Sequence, residues 1–266
     1  MKSVREGSCY VPGGVSGTFS STPGTAGPWS TGAQHGGPPS GPLARAMEQR
    51  LGDGHLLARV SVDLLGPVPV GDLRVEVEVL RPGRRVSLLQ ATLYDVSAGR
   101  PCAEARGWAL PRTEGGAGDG QSLPHSPDDG SERPLPESWS RGYVDHVEWR
   151  WIRVAVLEPG PAVVWIRSRV PLLPGEPLAG VPLLMTCVDS ASGVSAALDP
   201  AEWSFMNTEI TVHVLREPVG EWVCVSAETT LGSGSVGIAT ASVHDEKGLV
   251  ARSTQALLVE PIPGGG

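Results

Sequence analysis

The sequence is short of several things, and each shortage closes off a class of protein. Its four cysteines, Cys9, Cys102, Cys187 and Cys224, are scattered with no C-x-x-C pair. That spacing offers neither a common zinc site nor a disulfide framework, so the thiols are expected to be reduced and mostly buried. Cations are outnumbered: 21 Lys and Arg stand against 29 Asp and Glu, for a net charge of −8 and a pI near 5.3. An acidic surface is poorly suited to wrapping nucleic acid or lying on anionic lipid, so no nucleic-acid partner is expected. No apolar run approaches the roughly 18 residues that read as a membrane span. The opening MKSVREG lacks the apolar core of a secretion signal, and the expected address is cytoplasmic. A P-loop, an H-E-x-x-H pair and a G-x-S-x-G elbow are all missing. Gly232-Ser233-Gly234-Ser235-Val236-Gly237 spells G-x-G-x-x-G, yet the residues after it read as a strand. A pyrophosphate would need a helix N-terminus there, so the match predicts a glycine-rich hairpin instead.

What is present is a globular composition, 40% hydrophobic over 266 residues, enough for two domains of ordinary size. The 35 glycines and 25 prolines are unevenly spread, and residues 113–140 combine Gly, Ser, Pro and Asp with almost nothing to bury. Such a stretch cannot offset its ordering entropy and reads as a linker. The expected organisation is therefore 1–112, a linker at 113–140, and 141–266.

Each half repeats one pattern. In the first, a Gly-Pro-rich turn (His35–Gly41) precedes a helix over Pro42–Leu51. Strands are predicted over Leu57–Leu65, Leu73–Leu80, Val86–Val96 and Cys102–Leu110. In the second, an apolar stretch from Val181 to Leu198 precedes strands over Trp203–Val214, Glu221–Thr229, Val236–His244 and Leu249–Val259. Alternation in Val75-Glu76-Val77-Glu78-Val79 and Ile210-Thr211-Val212-His213-Val214 gives each strand one apolar and one polar face, as in an antiparallel sheet covered on one side. Val60-Ser61-Val62 overlays Ile210-Thr211-Val212, Pro69–Asp72 overlays Pro218–Glu221, and Ala91–Asp95 overlays Ala241–Asp245, all at a spacing close to 150 residues. A long-period duplication of a strand-wrapped helix follows; the alternative is two unrelated α+β domains.

Three polar residues of the second half stand in apolar surroundings. Asp189 ends Leu-Leu-Met-Thr-Cys-Val-Asp, where a carboxylate must find a partner. Its structural reading is an N-cap for a helix beginning near Ser190. The overlay puts its counterpart near Pro39, so only the second copy carries an acid there. Asn207 and Gln255 lie in strands, Gln255 overlaying Trp108. An acid with nearby amides suits hydrolysis by water, with the carboxylate orienting or deprotonating it and the amides holding it or polarising a carbonyl. Solvent-facing strand positions satisfied by water are the alternative for both amides. The six histidines are isolated; for His35, before Gly36-Gly37 at a helix start, a role in the turn is preferred over the alternative of a ligand contact.

Met206-Asn207-Thr208-Glu209-Ile210-Thr211-Val212-His213, Arg216–Trp222 and Val250–Ala256 resemble the C-terminal half of TesB-like acyl-CoA thioesterases. Gly27-Pro28-Trp29, His35-Gly36-Gly37-Pro38-Pro39 and Leu43-Ala44-Arg45-Ala46 resemble the N-terminal half. The resemblance implies an α+β double hotdog, two tandem copies of a curved antiparallel sheet wrapped around a helix. It implies hydrolysis of acyl-CoA to free acid and CoA, with no cofactor or metal and no covalent intermediate. The family's catalytic Asp and Gln map onto Asp189 and Gln255; its Thr falls on Asn207, a departure, with Thr208 alongside. A one-residue slip turns a strand side chain to the other face, so Asn207 and Thr208 stay open for that position. An acyl tunnel along the helices is expected at Leu184 and Val188. Arg216, Arg252 and Arg81, Arg84 and Arg85 are candidates for the CoA phosphates, and sheet edges offer a route to homo-oligomers. Two further functions stand beside hydrolysis. One is a non-catalytic acyl-thioester binder; the other is a hydratase or dehydratase, which is disfavoured because Val194 stands where a His would follow the Asp.

Overall fold

The computed structural model describes residues 7–52, 54–112, 125–137, 139, 142–154, 158–199 and 201–262. In the first half, strands β1 (Tyr10–Pro12) and β2 (Thr18–Ser21) lead to a small hairpin, β3 (Ala26–Gly27) and β4 (Ser30–Gln34). Helix α1 (Gly37–Glu48) follows, then β5 (His55–Leu64), β6 (Asp72–Arg81), β7 (Ser87–Asp95) and β8 (Arg100–Pro111). The second half opens with a one-turn helix α2 (Tyr143–His146), β9 (Val147–Arg153) and β10 (Ala162–Ser168). Helices α3 (Gly180–Val188) and α4 (Ala191–Val194) come next. They are followed by β11 (Trp203–Asn207), β12 (Glu209–Val214), β13 (Trp222–Leu231), β14 (Val236–Asp245) and β15 (Gly248–Pro261).

Apart from the separate β3–β4 pair, the strands form one antiparallel sheet in the order β1-β2-β6-β7-β8-β5-β12-β15-β14-β13-β10-β9, with β11 added on β15. The order is a palindrome: each strand on one side has its counterpart at the same distance from the central β5–β12 pair. There Ser61 faces Thr211, with Val60 opposite Val212 and Val62 opposite Ile210. Ser61 and Thr211, which overlay in sequence, thus face each other at the centre, and their neighbours exchange partners about that point, as a two-fold relation between copies requires. Inward-facing Val60, Val62, Ile210 and Val212 meet Leu43 and Met47 of α1 and Leu184 and Met185 of α3, all fully buried in one core. At about 1.5–3 kcal/mol per large apolar side chain, this shared core binds the two copies into one body.

Several boundaries move. Helix α1 starts at Gly37 rather than Pro42 because Pro38 and Pro39 sit in the first turn, where a missing N–H has no intrahelical partner to lose. Pro42 lies inside the helix, and the burial of Leu43, Ala44 and Met47 on the same element outweighs its lost bond. The stretch Trp203–Val214 breaks at Thr208, whose N–H donates to Ala256 O while its carbonyl accepts from Leu64 N–H. Strands β1, β2, β9 and β10, not expected from the sequence, flank the sheet at both edges. The Gly232–Gly237 segment is the β13–β14 hairpin, closed by Gly232 N–H on Val236 O. All four cysteines are free and buried. Of the expected linker, 113–124 lies outside the described residues, as does most of the opening MKSVREG. The following stretch is not structureless: Pro127–Asp129 form a 3-10 turn with a Ser126–Asp129 capping box, and Ser131 bridges to Trp151.

Strand register and helix ends also correct two overlays. Gln255 pairs with Ala239 as Gly107 pairs with Leu89, so Gly107, not Trp108, is its counterpart. Asp189 directly follows the last residue of α3 as Gln49 follows that of α1, so Gln49, not Pro39, holds the matching place. A residue near 150 positions away was the wrong guide because the helices are offset differently from the strands.

Candidate active site

Asp189 is the residue that closes α3, with helical backbone angles (φ −57, ψ −27). It does not cap α4: Ser190 holds that position, and no side-chain capping bond is made there. Its carboxylate instead turns to three donors. Asn207, the last residue of β11, gives its Nδ2–H to Asp189 Oδ1 at 2.7 Å. His35 Nδ1 stands 2.6 Å from Asp189 Oδ2. The Gly37 N–H, at the start of α1, is the third donor. Nδ1 of His35 also lies 3.2 Å from Gly37 N, but one nitrogen cannot both donate and accept. The shorter contact to a carboxylate fixes Nδ1 as protonated, which leaves the Gly37 N–H to Asp189.

Register settles which strand residue faces the acid. Asn207 reaches it; the Thr208 hydroxyl lies 3.5 Å from Ala256 O, on the exposed side. Gln255 is fully buried on the inner face of β15 and touches the backbone of the acid rather than its carboxylate. Its Nε2–H donates to Asp189 O at 3.1 Å and its Oε1 accepts from Ser192 N–H at 3.0 Å. It thereby satisfies a carbonyl at the end of α3 and an amide at the start of α4, pinning the joint that carries Asp189.

The helix approach depends on small residues. A Cβ on Gly36 would lie 2.7 Å from Asp189 Oδ1, and one on Gly37 would run into the Thr186 carbonyl. Only Gly36-Gly37 lets the positive end of α1 come this close to the acid. Tyr143 of α2 completes the site. Its ring stacks on His35 at 4.3 Å with 21° between planes, and its hydroxyl donates to Thr186 O at 2.8 Å.

Burial pushes the Asp189 carboxyl up, but the His35 imidazole, the Asn207 amide and the Gly37 N–H together outweigh it and hold the acid below the usual carboxylate range. An ionised carboxylate in a nearly dry position is the electrostatic centre of the site. His35, for which the turn was the preferred role over a ligand contact, and Tyr143 were not among the expected catalytic residues. The signal for His35 was His-Gly-Gly directly before a helix, where two glycines allow close approach.

Other expected residues lie elsewhere. Leu184 and Val188 are packed into the core with no exposed surface. Arg216 forms a bidentate pair with Asp245 at 2.5 Å to each oxygen, a structural role. A cavity of about 660 Å³ lies between residues 125–129 and the turn at Asp245–Gly248, and one of about 520 Å³ lies beside Arg153 and Arg252. Neither is lined by His35, Asp189, Asn207 or Gln255.

The family profile described as the acyl-CoA thioesterase N-terminal domain matches residues 25–110, and that of the acyl-CoA thioesterase C-terminal domain matches residues 127–259. The chain belongs to the acyl-CoA thioesterase family. It is a thioester hydrolase with the double hotdog fold. A hot-dog-fold protein from Alicyclobacillus acidocaldarius superposes with a TM-score of 0.71 at 19% identity, covering 91% of this chain and 92% of that one. The tesB protein of Mycobacterium avium subs paratuberculosis gives 0.68 at 16%, covering 94% and 96%. The acyl-CoA thioesterase II TesB2 of Mycobacterium marinum gives 0.67 at 14%, covering 95% of each chain. At these identities the likeness concerns the fold. No curated protein sequence matches the thioesterase. Among the described residues, no helix is long and apolar enough to cross a membrane.

Proposed function

We propose that the thioesterase hydrolyses an acyl-CoA to free carboxylic acid and CoA by direct attack of water, powered by the charge of Asp189. The observation that carries this reading is a buried acid, held ionised by donors from both copies at the positive end of a helix. Such a charge has little solvent to screen it and favours removal of a proton from water at the moment of attack. Asn207 has a second amide hydrogen beyond the one given to Asp189, and the Gly36 N–H lies at the same helix start. These are the donors for the oxyanion, since Pro38 and Pro39 have no N–H to offer. Gln255 is assigned a positioning role, holding the α3–α4 joint so that Asp189 meets Asn207 and His35.

The test is thiol release from a panel of acyl-CoA esters of graded chain length, for the wild type and Asp189→Ala. Turnover of at least one ester, abolished in the variant, supports the reading. Undiminished turnover in the variant contradicts it. Thermal stabilisation by every ester without release of thiol points to a binder instead.

A further inference from the structure

We infer that the atom receiving the proton from water is Nε2 of His35, with Asp189 acting through the imidazole; this step rests on the hydrolytic reading of the same site. The two oxygens of Asp189 are already engaged, Oδ1 by Asn207 at 2.7 Å and Oδ2 by His35 at 2.6 Å, with the Gly37 N–H as a third donor. Its side chain is 5% exposed, against 18% for His35. A carboxylate so enclosed is well placed to hold a charge and badly placed to meet a water molecule. The imidazole has the opposite character. Its Nδ1–H is turned to Asp189, so Nε2 carries the lone pair, and Nε2 makes no hydrogen bond among the described residues.

The ring is also held as a base must be. Tyr143 lies flat against it at 4.3 Å, and the Tyr143 hydroxyl is tied to Thr186 O at 2.8 Å, so the stack cannot slide without breaking a buried bond. When the imidazole takes up a proton, the new positive charge lies between the Asp189 carboxylate and the π face of Tyr143. The groups facing His35 are thus Asp189 from α3, Tyr143 from α2 and the Gly37 amide from α1.

The step balances within the site. As a water oxygen bonds to the thioester carbonyl carbon, one water proton passes to Nε2 and the carbonyl electrons move to the oxyanion. On collapse the carbon–sulfur bond breaks, and Nε2 returns the proton to the departing sulfur. The products are the acid and the free thiol of CoA, and His35 is restored. Three residues, one of them from the half that lacks the acid, then form one machine: His35 the catalytic base, Asp189 and Tyr143 the groups that orient it.

The experiment compares His35→Asn, His35→Ala and Asp189→Asn by thiol release across pH, each checked for a wild-type melting transition. His35→Asn keeps an N–H for Asp189 but has no basic nitrogen, so it is expected to lose about 10²–10⁴-fold in turnover with its fold intact. His35→Ala is expected to regain activity when imidazole is added, because the small base can occupy the vacated space. The acid limb of the wild-type pH profile is expected to vanish in His35→Asn. Wild-type turnover in His35→Asn together with an inactive Asp189→Asn overturns the inference and leaves the hydrolytic site standing, with Asp189 the base. An inactive His35→Ala that imidazole does not rescue, with the acid limb intact in His35→Asn, also overturns it. Should the His35 variants fail to melt as the wild type does, Tyr143→Leu replaces them: a displaced acid limb supports the inference and an unmoved one contradicts it. Full activity in Asp189→Asn removes the hydrolytic reading itself.

Discussion

Duplication gives the molecule two corners where the end of one copy's helix meets the start of the other's, and the carboxyls there are shifted in opposite directions. In one, Asp189 at the end of α3 meets His35 and the Gly37 N–H at the start of α1. In the other, Glu48 at the end of α1 meets the Val181 N–H at the start of α3, with Glu217 and Arg112 beside it. Burial pushes both carboxyls up. Around Asp189 an imidazole and an amide reverse that push; around Glu48 the charge of Glu217 adds to it, and Arg112 and the Val181 N–H do not compensate. Arg112 is itself drawn to Glu217 at 2.7 Å. Glu48 is pushed up to about 7 as a result. The same backbone frame, a carboxyl against a helix N-terminus, therefore does not decide whether an anion is kept; the second partner decides.

The strands show the same divergence. Gln255 anchors the α3–α4 joint on β15, whereas its counterpart Gly107 on β8 leaves room that Met47 Sδ and Leu57 Cδ2 occupy, each 2.9 Å from where a Cβ would stand. The first copy filled the place with apolar side chains and contributes His35, Gly36 and Gly37 instead. On the proposed reading, one site draws its residues from both halves.

The largest expected effect breaks the comparison at its charged end. Asp189→Asn should lower thiol release by about 10²-fold or more, while Glu48→Gln should leave it at the wild-type rate. Next is the close approach: Gly36→Val places a Cβ within 2.7 Å of Asp189 Oδ1, and urea unfolding should show a loss of about 1–3 kcal/mol along with lost turnover. Gln255→Leu comes third. It leaves the Ser192 N–H and the Asp189 carbonyl unpaired in a buried position, a cost of about 1–3 kcal/mol by the same measurement, with turnover reduced through a loosened Asp189.

The smallest effect separates the corners by pH. Glu48 binds its proton more tightly folded than unfolded, so its contribution to stability is favourable below its ordinary range and is lost as pH rises toward 7. Asp189 has the reverse sign: its contribution is present above the ordinary Asp range and disappears as pH falls through the lowered value. Melting curves should therefore show Glu48→Gln raising Tm at pH 8 and leaving it unchanged at pH 4.

Much of this was legible in the chain. The period-two alternation of β6 and β12 and the overlay of Ser61 on Thr211 announced the duplicated sheet, because side chains facing one core must alternate. Asp189 stood out because an acid in an apolar run needs partners. The partners were harder. Asn207 and Thr208 are indistinguishable until the break at Thr208 fixes the register. Gln255 was found, but its bonds run to backbone groups of residues far away in sequence, which no local pattern encodes. His35 was passed over because its partner belongs to the other copy, and a lone histidine before two glycines reads as a turn. The prolines of α1 hid its first turn for a similar reason: they are breakers in mid-helix and harmless at its start.

The claim that one site is shared between the copies is tested most directly by a double-mutant cycle on kcat/KM with His35→Asn, Asp189→Asn and the combination. Groups that act as a unit lose their joint contribution once, so the double variant is expected to be no slower than the slower single variant. Losses that multiply would mean that His35 and Asp189 act independently, and the shared site would be contradicted.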